Sequence, residues 1–288
     1  MRPDFIPGHV AEHDIRPVLI AGAPGTLGRA FGRICHTRGL TAVELGRADL
    51  DIAEPAAVEA ALKKYRPWAV VNAAGYVRVD DAETDAARCF RENATGPAVL
   101  ATACAARGLP LLTFSSDLVF DGEQEGPYTE SAVPNPLNVY GRSKLAGERA
   151  VLAAHPAALV VRTSAFFSGW DEHNFVHFAL QAGRAGHPFE AADDVRMAPT
   201  YVPDLVNTAL DLLLDEAHGI WHLACPDSCT WAGLARVAAR RAGLPDGFVV
   251  PRPMAHFGLP AARPRQSVLA SEKGIVQPGL EDALGRML

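Results

Sequence analysis

Val18-Leu19-Ile20-Ala21-Gly22-Ala23-Pro24-Gly25-Thr26-Leu27-Gly28 joins an unbroken apolar run to a glycine-spaced turn. An apolar run with no alternation is the pattern of a strand covered on both faces. Past the turn, Leu27, Ala30, Phe31, Ile34 and Cys35 share one helical face, and Gly39 is a stop signal. The pattern predicts a strand, a GxxGxxG turn and a helix over Thr26–Arg38. Gly22, Gly25 and Gly28 would let backbone approach a pyrophosphate, which the helix N-terminus would favour with its N–H groups and dipole. The plain alternative is a simple strand-to-helix turn. The strand before and the helix after are the context that favours a dinucleotide site.

The same alternation continues outward. Short apolar runs recur at Ala42–Leu45, Trp68–Asn72, Leu109–Ser115 and Leu159–Arg162. Helical patterns lie between them, at Pro55–Lys64 and at about Ala86–Arg107, the latter ending at Gly108. Buried strands alternating with amphipathic helices imply an α/β fold, a doubly wound parallel sheet of Rossmann type. Beyond residue 165 the pattern loosens. Helices are predicted at 173–184, 204–215 and 230–242, with a strand at Ile220–Ala224. The organisation expected is a loose tail over 1–16, a dinucleotide-binding domain over 17–165, and a small α/β substrate lobe over 166–288 interleaved with the last strands of the sheet.

Composition narrows the partners. The chain has 288 residues, is 49% hydrophobic and 21% charged, and carries a formal net charge of −6. With no basic excess to release phosphate counterions, neither nucleic acid nor an anionic membrane is an expected partner. Cys35, Cys89, Cys104, Cys225 and Cys229 are scattered and odd in number, which reads as buried reduced thiols. Met1–Arg16 contains Asp4, Glu12 and Asp14 without an apolar core, unlike a secretory signal. No stretch is long and apolar enough to span a bilayer. The reading is cytoplasmic, as a monomer or homodimer.

The residue just past the second strand commonly selects the dinucleotide: an acid for the ribose hydroxyls, an arginine for a 2′-phosphate. Arg47 stands at that place and favours NADP(H), with Glu44 as the counter-argument that leaves NAD(H) open. Asp51, in the run Asp49-Leu50-Asp51-Ile52, would lie near the adenine end of the groove or cap the next helix. Farther on, Tyr140 and Lys144 form a YxxxK pair, which one helical turn brings to the same face. Phenols ionise near pH 10, and an adjacent ammonium favours phenolate, so Lys144 is expected to lower the Tyr140 pKa and make it a proton donor to a ketone or acceptor from an alcohol. A hydroxyl at the C-terminal end of a central strand would complete the set, and Ser115 and Ser116 stand there.

In order along the chain, these blocks resemble the extended short-chain dehydrogenase/reductases, and within them the dTDP-4-dehydrorhamnose reductase group. The resemblance spans about 17–287. It includes Asn72-Ala73-Ala74, Val79–Glu83, Asn93, Ser115–Gly122, Val161–Ser164, Asn174–Val176 and Pro199–Tyr201; Asn135–Glu148 (NPLNVYGRSKLAGE) is its most specific block. It implies reduction by NADPH or NADH of the 4-keto group of a nucleotide-linked 4-keto-6-deoxy sugar. It implies Tyr140 as proton donor, Lys144 as its partner and ribose ligand, and Ser116, in preference to Ser115, as the group that orients the ketone. Gly22, Gly25, Thr26, Leu27, Gly28, Ile52, Ala73, Ala74, Tyr76 and Asn93 would line or steady the dinucleotide. Asp117, Asn174 and Arg263 would face the substrate. Two positions depart from the family: Leu118 follows Asp117, and Ala165 follows Ser164, where aromatics are often found. A smaller wall there should change which sugar fits, unless Phe166 refills the space.

Other constellations carry less. His173 and His177 are four residues apart but lack a third metal ligand, and His222, Cys225 and Cys229 make a poor zinc pattern. A GxSxG elbow and a GxxxxGK[ST] phosphate loop are absent. No metal is expected. Two alternative functions fit the same blocks: a sugar-nucleotide epimerase with NAD, and a non-catalytic NADP-binding regulatory subunit.

Overall fold

Strand residues in this chain point alternately into two apolar layers, and that alternation organises the fold. The structure, a computed structural model, describes residues 16–288. The expected tail over 1–16 lies outside the described residues except for Arg16, whose guanidinium donates to the carbonyls of Arg66 and Pro67 at 3.1 and 2.6 Å.

In chain order, β1 (Val18–Ala21), α1 (Thr26–Thr37), β2 (Ala42–Leu45), α2 (Pro55–Tyr65) and β3 (Ala69–Asn72) come first. Then come α3 (Ala86–Phe90), α4 (Gly96–Ala105), β4 (Leu111–Ser116), α5 (Val139–Ala154) and β5 (Leu159–Thr163). The remaining elements are β6 (Phe166–Phe167), α6 (Phe175–Arg184), β7 (Phe189–Ala192), β8 (Arg196–Met197), β9 (Thr200–Tyr201), α7 (Val202–Leu214), β10 (Gly219–His222), β11 (Cys229–Thr230), α8 (Trp231–Arg241), β12 (Val249–Arg252) and α9 (Leu280–Met287).

Six strands form one parallel sheet in the order β2-β1-β3-β4-β5-β10. Val18, Ile20, Val71, Leu112 and Val161 pack with α1 and α7; Leu19, Val70, Leu111 and Val160 pack with α2, α4 and α5 on the other face. The order reverses at β1, whose neighbours are β2 and β3. That switch point opens a crevice beyond the strands' C-terminal ends, where α/β proteins bind ligands. The doubly wound fold read from the apolar runs is the one observed. After β5 the chain leaves the sheet, then returns through α7 and β10. A third apolar cluster, including Phe167, Val176, Leu180, Met197, Leu234 and Leu284, holds α6, α8 and α9 together.

One expected helix differs in detail. The pattern over 86–107 is continuous, but Arg91–Thr95 forms a π-helical turn between α3 and α4. Pro97 has no N–H to bond the Asn93 carbonyl, so the regular ladder is interrupted there. Gly147 of α5 packs against that carbonyl; a Cβ on it would lie 2.1 Å from the oxygen. All five cysteines are free, four of them buried, and burial pushes the Cys35 and Cys104 thiols up to about 11 and 12.

Candidate active site

The end of β4 and the start of α5 meet over the sheet. Asn138 caps α5, its Oδ1 accepting the Gly141 N–H at 2.7 Å. Gly141 lets this first turn approach the β4 exit, since a Cβ there would lie 2.1 Å from the Leu118 carbonyl oxygen. Tyr140 is the second residue of α5, and Lys144 stands one turn later, 5.8 Å from the Tyr140 ring centroid. The Lys144 ammonium donates to the Phe114 carbonyl at 3.1 Å.

Ser116 closes β4. Its Oγ accepts the Leu118 N–H at 3.1 Å and donates to Asp117 Oδ1 at 3.0 Å. The other Asp117 oxygen accepts hydroxyl protons from Ser164 at 2.7 Å and Ser267 at 2.6 Å. Asp117 is buried, and among the described residues no cation bonds to it. Burial raises its pKa, and the three serine hydroxyls pull it back. Ser115 Oγ is buried beside this group and, among the described residues, has no hydrogen-bond partner.

These charges reverse one expectation. Burial, and then the charge of Asp117, push the Tyr140 phenol above its ordinary value, while a bond with Ser116 acts the other way. Lys144 does not dominate its titration, contrary to the expected lowering. Lys144 itself is pushed down to about 8 by burial, with Cys89 and Glu148 opposing. A phenol held above its ordinary range is fully protonated at neutral pH, which suits a proton donor.

A cavity of about 390 Å³ contains Ser116, Asp117, Tyr140, Ser164, Arg263 and Ser267 in its wall. Leu118 and Ala165, the two departures from the family pattern, line it as well, together with Met197, Trp231 and Met254. A second groove of about 620 Å³ runs along the switch point. Its floor is the turn Gly22–Leu27, the strand end Ala73–Gly75, and Arg47, Asp51 and Ile52. Val77 and Phe166 line both spaces, so the cavities adjoin there. Phe166 also packs against the apolar core shared by α1 and α7.

The groove suits a dinucleotide. Gly22 has φ +86°, and a Cβ on it would lie 2.5 Å from the Ala74 nitrogen, so backbone meets backbone at the switch point. Gly25 caps α1 with no side-chain hydrogen bond, and the first turn of α1 holds no acid, which leaves its N–H groups for an anion.

Several expected residues sit elsewhere. Tyr76 is 3% exposed in a small apolar cluster with Ala82, Cys89, Val139 and Tyr140, behind the groove and not in it. Bulk and apolarity draw the ring inward, and its neighbours Gly75 and Val77 line the groove instead. Asn93 lies in the π turn. Its amide accepts the Tyr76 N–H at 2.9 Å and donates to the Tyr76 carbonyl and Ser143 Oγ at 3.1 and 3.0 Å, tying the β3 exit to α5. Asn174, expected at the sugar, is buried and spent on structure. It caps α6 by accepting the His177 N–H at 3.0 Å and donates to the Ser168 and Asp171 carbonyls. Arg263 reaches the cavity wall but is paired with Asp80 at 2.7 Å.

Sequence reasoning missed a strap. Asp171 and His173 line the dinucleotide groove, and Asp171 Oδ2 accepts the Thr26 hydroxyl at 2.7 Å across 145 positions. Nothing local signals so distant a pairing. Ser164 and Ser267 were likewise unread as ligands of Asp117. Glu92 was legible in principle, because it stands four residues after Arg88 on one helical face.

Comparisons with known proteins settle the family. The model of the RmlD substrate-binding domain matches residues 16–281. The chain belongs to that family. A dTDP-4-dehydrorhamnose reductase of Streptomyces griseus is 37% identical over 87% of this chain and 84% of its own length. A dTDP-4-keto-6-deoxy-D-glucose reductase of Streptomyces niveus is 34% identical over 88% of each. The crystal structure of a dTDP-4-dehydrorhamnose reductase of Bacillus anthracis in complex with NADP superposes with a TM-score of 0.90 at 29% identity, covering 94% of this chain and 98% of that one. Among the described residues, no helix is long and apolar enough to cross a membrane, and no group of three or more His, Cys, Asp or Glu side chains could hold a metal ion.

Proposed function

We propose that this protein is an NAD(P)H-dependent oxidoreductase that reduces the 4-keto group of a nucleotide-linked 4-keto-6-deoxy sugar. The observation that carries the reading is the junction of two spaces. Ser116 and Tyr140 line one, the glycine turn lines the other, and Val77 and Phe166 belong to both. The names of the family relatives, dTDP-4-keto-6-deoxy sugar reductases among them, support the substrate class.

The dinucleotide would lie on Gly22–Leu27, Ala73 and Ala74, with Arg47 and Asp51 at its adenosine ribose, and when bound it supplies the hydride. Arg47 favours NADP(H), with NAD(H) accepted. Ser116 hydrogen-bonds the substrate carbonyl and fixes its orientation. Tyr140 Oη gives its proton to the oxygen as negative charge develops there. That transfer is downhill even from a phenol of raised pKa, because an alkoxide is far more basic. Lys144, with a pKa near 8 and its ammonium 5.8 Å from the Tyr140 ring centroid, would hold a proton behind the tyrosine and bind the nicotinamide ribose. Arg263 holds the nucleotide-sugar from the far wall. Residues 17–165 serve the dinucleotide and most of 166–288 the sugar, with α7 and β10 lent back to the sheet.

The test is transfer of label. NADPH carrying deuterium at the transferable nicotinamide position, given with a dTDP-4-keto-6-deoxy sugar, should yield a product alcohol one mass unit heavier, with the label at C4. Binding of NADPH without label transfer to any such keto-sugar would overturn the proposal and favour a regulatory binding protein.

A further inference from the structure

The adenosine-ribose end of the groove carries its own counterions. Arg47 Nη1 bonds Glu92 Oε1, and Arg88 Nε donates to the same oxygen at 2.7 Å. Arg47 Nη2 also lies 3.7 Å from Asp51 Oδ2. Beside them Arg91 grips Asp51 at 3.2 and 3.0 Å and bonds Glu54 at 2.6 Å. Three guanidinium groups thus face three carboxylates, and the cluster is close to neutral. Glu92 differs from its neighbours in accessibility. Its side chain is 14% exposed, against 53% for Arg47 and 47% for Arg88. Arg47, Asp51 and Glu92 all line the groove.

A carboxylate held by two guanidinium groups has the recognition chemistry of a bound phosphate. We propose that Glu92 is an internal surrogate for the 2′-phosphate of NADP(H) and sets the preference between the two dinucleotides. This rests on the proposed placement of Arg47 at the adenosine ribose. A phosphate approaching Arg47 must displace Glu92 or share the arginine with it, and the nearby carboxylate repels the incoming dianion. A dinucleotide with free ribose hydroxyls meets no such competition, and Asp51 is present to accept from them. Glu92 therefore keeps the preference for NADP(H) small although arginines surround the site. Burial raises the Glu92 pKa and the two guanidinium bonds lower it; the lowering prevails, so Glu92 is a carboxylate throughout the neutral range.

Isothermal titration of the full chain with adenosine 2′,5′-bisphosphate and with adenosine 5′-monophosphate isolates this end of the ligand without turnover. Glu92→Gln removes the charge and keeps the shape. It should tighten the bisphosphate by about tenfold, the scale of one partly screened charge pair, and leave the monophosphate within about twofold. Arg47→Ala should weaken the bisphosphate selectively. Fluorescence titration of NADPH and NADH should show the same order. If Glu92→Gln does not fold, Glu92→Met offers the same loss of charge. An unchanged affinity ratio in the folded Glu92 variants, with Arg47→Ala still selective, overturns the role of Glu92 and leaves Arg47 standing. An affinity ratio unchanged in both the Glu92 variants and Arg47→Ala overturns the placement of the 2′-phosphate at Arg47 itself.

Discussion

Glu148→Gln should cost more stability than removing the whole ion pair to which Glu148 belongs. Glu148 of α5 and Arg162 of β5 form two parallel bonds of 2.8 and 2.7 Å. Their side chains are 3% and 2% exposed. Arg162 also lies 5.1 Å over the Phe120 ring and 3.4 Å from His222 Nε2. The imidazole donates through Nδ1 to the Tyr128 and Ala270 carbonyls, at 3.1 and 3.0 Å. Burial and Arg162 both push the His222 pKa down, so the ring is neutral and cannot replace the lost carboxylate. Glutamine leaves one oxygen where two charge-assisted bonds stood, and leaves Arg162 charged in a dry site. Breaking a buried pair from one side costs about 3–5 kcal/mol. At about 2–4 °C per kcal/mol for a chain of this size, the melting temperature should fall by about 10 °C. The double replacement Glu148→Leu with Arg162→Met leaves no unpaired charge and should cost less than Glu148→Gln alone. Differential scanning calorimetry with urea titration at pH 7 measures both. A loss below about 1 kcal/mol for Glu148→Gln, or a double variant worse than the single, would refute the picture of a dry, mutually dependent pair. The pair matters to the site because Glu148 lies one turn beyond Lys144 and pins α5 to the sheet.

Gly22→Ala should abolish measurable dinucleotide binding in an NADPH fluorescence titration, because its Cβ would meet the Ala74 backbone at 2.5 Å and its φ is +86°; an affinity within threefold of wild type would contradict the switch-point geometry. Lys144→Met should stabilise the protein near pH 7, since the native state must hold a buried ammonium whose pKa is depressed to about 8. The unfolded chain binds the more protons between pH 8 and about 10.5, so wild-type stability should rise through that window, by roughly 2 kcal/mol after allowance for the cavity's water. A wild type whose stability relative to Lys144→Met is flat from pH 7 to 10.5 would contradict the depression.

The fold was legible because its strands are continuous apolar runs. Val18–Ala21 and Leu159–Arg162 needed no tertiary information beyond burial on both faces, while the edge strand Ala42–Leu45 is only partly buried and carries the exposed Glu44. The glycine turn and the YxxxK spacing were legible because the chemistry is local: one turn of backbone, or one turn of helix. What sequence could not supply was the distant pairing. Asp171 reaches Thr26, Ser267 reaches Asp117, and Asp80 holds Arg263, each across a separation that no periodicity encodes. The misplaced residues share a cause as well. Asn174 stands in a family-like block and Tyr76 between two of them, but a helix cap and apolar packing of the ring hold them away from the grooves. The direction of the Tyr140 shift failed for the same reason. Spacing reveals Lys144, while burial and the charge of Asp117 depend on the assembled cavity.

The most direct test of the central claim tracks absorbance at 340 nm during reduction of a dTDP-4-keto-6-deoxy sugar by NADPH, with wild type beside Tyr140→Phe. Tyrosine Oη is the proton donor in this account, so the phenylalanine variant should bind NADPH as wild type does and lose at least about a hundredfold in kcat. A Tyr140→Phe protein that turns over within a fewfold of wild type would contradict the assignment of Tyr140 as the acid.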